Sequence, residues 1–63
     1  MYDFDAARIK RIRITLGETQ AKFAERLGVR VTMINRYERG GVSPRNGPVL
    51  KALLDAEREA GVA

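Results

Sequence analysis

The stretch Thr19-Gln20-Ala21-Lys22-Phe23-Ala24-Glu25-Arg26-Leu27-Gly28-Val29-Arg30-Val31-Thr32-Met33-Ile34-Asn35-Arg36-Tyr37-Glu38-Arg39-Gly40 decides the fold. Thr19 carries a hydroxyl suited to capping a helix N-terminus, and Phe23, Ala24 and Leu27 then follow at i, i+1 and i+4. That spacing makes a narrow apolar stripe with a small residue where a second helix can come close. Gly28 stands just past the last apolar residue, where a left-handed backbone closes a helix without a steric penalty. Val29 is an apolar plug in the turn, and a further helix is predicted from Val31 to Arg39, with Ile34 and Tyr37 as its inward pair and Gly40-Gly41 as its end. Two helices joined by Leu27-Gly28-Val29-Arg30 fit the short turn of a helix-turn-helix.

Outward from this segment, the pattern remains helical. Ile9, Ile12 and Leu16 recur at three and four residues and predict a first helix over about Asp5 to Leu16. Asp3 or Asp5 can cap its start, and Gly17 marks its end. The run Gly40-Gly41-Val42-Ser43-Pro44-Arg45-Asn46-Gly47 is dense in turn formers and reads as a loop. Pro48 suits the first turn of a fourth helix over about 48–60, for which Leu50, Leu53 and Leu54 supply an apolar face. With no internal repeat and no strand-like alternation, the expected fold is all-α, one compact domain over residues 1–63 built from four helices, or five.

A chain of 63 residues buries only about 60% of the surface its unfolded form exposes, so each apolar residue counts. The absence of Cys and His excludes a disulfide framework, a Cys or His zinc site and a His-centred triad. Hydrophobic residues at 44% and charged residues at 32% suit a folded domain. No apolar run approaches the roughly 18 residues that span a bilayer, and the start Met1-Tyr2-Asp3-Phe4-Asp5 is acidic where a signal peptide is basic, so a cytoplasmic protein without membrane association is expected. The net charge of +4 hides an asymmetry: from Arg8 to Lys51 eleven basic residues face only Glu18, Glu25 and Glu38, a net of +8, while each end carries −2. Such a middle attracts polyanions, nucleic acid first among them, although solvated Lys and Arg also keep proteins soluble. Arg8, Lys10 and Arg11 of the first helix read as a solvated face.

Leu16-Gly17, Thr19-Gln20, Phe23-Ala24, Leu27-Gly28-Val29, Ile34, Arg36-Tyr37-Glu38-Arg39-Gly40 and Pro44 together resemble the signature of the Cro and phage-repressor class of DNA-binding domains, the xenobiotic-response-element family. The resemblance covers about Ile9 to Leu54 and implies a lambda-repressor-like domain around a central helix-turn-helix. It implies that Val31, Thr32, Asn35 and Arg36 face the bases of the major groove. Arg36 has the fork for guanine O6 and N7, Asn35 the amide suited to adenine, and Val31 or the Thr32 methyl a surface for a thymine methyl. It places Gln20 beside the DNA backbone, with Arg30, Arg39, Arg45 and Asn46 as further phosphate contacts that hold register. It also implies an architectural ion pair between Arg13 and Glu38. Arg30 departs from the family, which carries a small capping residue such as serine there, leaving the helix start looser or moving its cap to Thr32. Lys22 departs from the Glu or Gln of a capping box.

The function expected from this resemblance is a small repressor or autoregulator that dimerises on a palindromic double-stranded operator, with Val42, Val49, Leu53 and the tail as its dimer surface. The alternative is an antitoxin-type module that neutralises a partner protein, with DNA binding secondary. No metal-ligand cluster, phosphate-cradling glycine loop or converging carboxylates point to an enzyme, a metal or a cofactor.

Overall fold

Asp5 stands in extended conformation and its carboxylate accepts the Arg8 N–H at 2.8 Å, which starts the first helix, α1 (Ala6–Thr15). The computed structural model describes residues 4–62, so the alternative cap, Asp3, lies outside the described residues. Thr19 Oγ1 accepts the Lys22 N–H at 3.1 Å and starts α2 (Gln20–Leu27). α3 (Val31–Arg39) follows after three residues, and α4 (Gly47–Ala60) completes the four helices, with no strand among the described residues. The fold is all-helical, as its sequence predicts, within 27 × 25 × 19 Å.

The turn between α2 and α3 is closed by Gly28, whose φ of 73° is the left-handed conformation that a side chain disfavours. Its N–H donates to the Glu25 carbonyl at 3.2 Å and the Val29 N–H reaches the Ala24 carbonyl at 3.0 Å, so the last carbonyls of α2 are satisfied. Gly40 repeats the device at the end of α3 with φ 81°. These two glycines fix where the two motif helices stop, and Phe23, Ala24, Leu27, Ile34 and Tyr37 are all buried between them and α1.

Two expectations need correction. Leu50, Leu53 and Leu54 give only part of the inward face of α4: Leu53 is fully buried and Leu50 and Leu54 are half-buried against the core, but Val49 and Ala56 are buried beside them. The helix is turned so that positions 49, 53 and 56 form the deepest seam, which the spacing of the three leucines alone does not show. Val49 and Leu53 are thereby committed to the core and are not available as a dimer surface. Arg8 is not on a solvated face either. Its guanidinium donates from Nε and Nη2 to both oxygens of Glu57 at 2.7 and 2.8 Å and lies 4.2 Å from the centroid of the buried Phe4 ring.

That pair joins α1 to α4, and a second fastening joins α2 to α4. Arg26 bonds Glu18 in the loop before α2 and reaches Glu59 of α4 at 3.0 Å. Arg26 holds the Glu18 carboxyl below its ordinary value, and Arg8 does the same for Glu57. A carboxylate with a lowered folded-state pKa contributes stability above its unfolded value, here 4.5, and loses that contribution as the pH falls through the folded value. The melting temperature is therefore expected to fall once the pH drops below about 4.5, and Glu57→Gln to flatten that decline in acid-titrated thermal melts. An unchanged acid limb in the variant would remove Glu57 from this account.

Candidate nucleic-acid interface

α3 turns Ile34 and Tyr37 into the core, and helical spacing carries Thr32, Asn35, Arg36 and Arg39 to the outer side. Thr32, Arg36 and Arg39 are exposed, Asn35 is half-buried, and Val31 at the first turn is 44% exposed. Neither Thr32 nor Asn35 makes a side-chain hydrogen bond among the described residues, so their polar groups remain open for a ligand. The start of α3 is not displaced to a Thr32 cap. Arg30 is the N-cap residue, makes no side-chain capping bond, and offers only its carbonyl, to the Met33 and Ile34 N–H groups at 2.9 and 3.3 Å. Arg39 shares the outer stripe of Thr32 two turns further on, although sequence reasoning set it apart as a flanking residue.

Gln20 opens α2, and its Nε2 donates to Glu38 Oε1 at 3.2 Å. The same carboxylate accepts Arg13 Nε at 2.6 Å and Nη2 at 3.1 Å, and Arg13 Nη1 donates to the Glu18 carbonyl at 2.9 Å. The Arg13 and Glu38 side chains are only 15% and 6% exposed. One largely buried carboxylate therefore ties α1 and α2 to α3 and sets the orientation of Gln20. Among the flanking residues, Arg30, Arg39 and Arg45 are exposed. Asn46 has a local duty that sequence reasoning missed: it caps α4, its side-chain oxygen accepting the Val49 N–H at 3.4 Å. The signal was present, since an Asn two residues before Pro48 is a recognisable helix start. No group of three or more carboxylates among the described residues is placed to hold a metal ion.

Folding sorts the charges. Of the seven described carboxylates, Glu18, Glu25, Glu38, Asp55, Glu57 and Glu59 are in ion pairs, and Asp5 caps α1. They occupy Arg8, Arg13, Lys22, Arg26 and Lys51. Arg30, Arg36, Arg39 and Arg45, all on α3 or its flanking turns, have no ion-pair partner among the described residues. The sole acid of that segment, Glu38, is turned inward onto Arg13, so every charge on the outer side of α3 is positive. A surface of this kind attracts a phosphate backbone.

The profile of the family described as Helix-turn-helix matches residues 9–56, which runs from α1 to the middle of α4 and includes every residue of the α2–α3 motif. No curated protein and no solved structure matches the chain significantly. No helix among the described residues is long and apolar enough to cross a membrane. With the match covering most of the chain, this protein belongs to the helix-turn-helix family of the Cro and phage-repressor type and is a DNA-binding transcriptional regulator.

Proposed function

We propose that the chain is a single cytoplasmic domain that acts as a repressor or autoregulator, binding a palindromic operator as a dimer with α3 in the major groove. The observation that carries this reading is the unpaired cationic side of α3, since a duplex is the polyanion that a nine-residue helix fits. Val31, Thr32, Asn35 and Arg36 read bases, Arg36 with the greatest discrimination because its fork can engage guanine at two atoms. Gln20, Arg30, Arg39, Arg45 and Asn46 hold the backbone. Gln20 keeps one amide hydrogen and its carbonyl oxygen for this after bonding Glu38. With Val49 and Leu53 in the core, the dimer surface is drawn from exposed Val42 and half-buried Leu50, Leu54 and Val62. Half-sites then stand about one helical turn, roughly 34 Å, apart.

Arg36→Ala and Arg45→Ala separate reading from holding. Arg36→Ala is expected to cost about 1 to 3 kcal/mol on the preferred operator and much less on random duplex. Arg45→Ala weakens both alike and lowers the slope of log affinity against log salt by about 0.9. The measurement is fluorescence anisotropy on both duplexes across a salt series, with the operator first selected from a random pool. An unchanged specificity ratio in Arg36→Ala removes that residue from base reading. Failure of the folded protein to bind any duplex at low salt overturns the whole reading.

A further inference from the structure

α1 has a side that neither the core nor the DNA-facing helix uses. Ile9 and Ile12 point into the core, Arg13 leans to Glu38 of α3, and Arg8 leans to Glu57 of α4. Ala7, Lys10, Arg11 and Ile14, at i, i+3, i+4 and i+7, are what remains opposite, and all four are exposed. Ile14 is 58% exposed, more than Val31 or Val42, the other exposed large apolar residues. Lys10 and Arg11 form no ion pair among the described residues, and no acid lies on the stripe. At its N-terminal end the stripe borders a recess of about 420 Å³ lined by Ala7, Arg11 and Val62 together with Asp5, Arg8 and Glu57, whose two carboxylates are already held by the Arg8 N–H and guanidinium.

We propose that this stripe docks an acidic segment of a partner protein, with an aliphatic residue against Ile14 and carboxylates against Lys10 and Arg11. Charge complementarity selects that occupant. A second copy of the chain placed symmetrically on the stripe would set Lys10 and Arg11 of one protomer against the same cations of the other. A duplex seated on α3 lies on a different side of α1, and phosphates gain nothing from Ile14 at the C-terminal end of the stripe. An acidic, aliphatic peptide satisfies both halves of the surface and leaves α3 on its operator, so the regulator can hold DNA and a partner together.

The test is selection from a displayed random-peptide library on the full chain, with excess duplex present to occupy α3. Enriched peptides should combine aliphatic residues with Asp or Glu. Their affinity should fall about tenfold or more in Ile14→Asp and in the Lys10→Glu/Arg11→Glu double variant, as expected when an anchoring contact is lost. It should remain unchanged in Arg36→Ala/Arg45→Ala. All of these positions are exposed, and circular dichroism verifies that each variant folds. Four results overturn the proposal: no enrichment, peptides that bind the stripe variants as well as the parent, peptides that excess duplex displaces, and stripe variants that lose duplex affinity as strongly as Arg36→Ala/Arg45→Ala. The last would make the stripe a second DNA contact. The selection itself does not require the chain to bind DNA, so its failure and the failure of operator binding are read separately.

Discussion

Arg13→Ala is expected to lower the unfolding free energy by about 3 to 5 kcal/mol in urea titration, because it strands a largely buried carboxylate. Glu38 is 6% exposed on its side chain and would keep only the Gln20 amide as a partner. Native domains hold roughly 0.05 to 0.15 kcal/mol per residue, so a chain of 63 residues has little stability beyond this loss. Arg13→Ala should therefore abolish DNA binding through unfolding. The double variant Arg13→Met/Glu38→Leu separates the two effects. It removes both charges, recovers most of the stability, and leaves Gln20 without its anchor. Restored folding with weakened duplex binding then assigns the pair to orienting Gln20, whereas restored affinity assigns it to stability alone. A change below about 1 kcal/mol in Arg13→Ala, the range of exposed ion pairs, would contradict the burial argument.

Phe4→Ala should cost a similar amount, about 3 to 5 kcal/mol, and lower the melting temperature by roughly 4 to 8 °C for each kcal/mol. Phe4 is 2% exposed and is among the largest fully buried side chains, yet it precedes α1 and belongs to no helical stripe. Its ring also supports the Arg8 guanidinium at 4.2 Å, so truncation loosens the Arg8–Glu57 fastening of α4 as well as leaving a cavity. Phe4→Leu keeps most of the volume and should recover most of the loss in the same melts. If Phe4→Ala melts with the parent, the segment before α1 contributes nothing to the core.

Phe4 also marks where reading the sequence stops. Helix periodicity identifies buried residues only inside a helix, and Phe4 sits in an acidic lead-in before the first helical stripe begins. α4 shows the same limit in another form. Its sequence permits two apolar stripes that share Leu53, and only the positions of α1 and α2 bury Val49 and Ala56 more deeply than Leu50 and Leu54. Arg8 could not be told from Lys10 and Arg11 without knowing that Glu57, 49 residues away, returns beside it. By contrast, Asp5, Thr19, Gly28 and Gly40 act on backbone groups within a few residues of themselves, which is why the helix boundaries were legible.

The segment from Thr19 to Gly40 thus determined by itself that two short helices meet at a glycine turn, and which of their residues face inward. Those properties depend on local hydrogen bonds and on the 3.6-residue period. Apart from Arg13, which the resemblance already pairs with Glu38, which arginines are left without an ion pair was decided only by the tertiary structure. The net +8 of residues 8–51 does not distinguish Arg13 and Arg26 from Arg36 and Arg45. Folding does, by bringing distant carboxylates beside the first pair and none beside the second. Ion pairing falls off with distance in space, and the sequence records distance only along the chain.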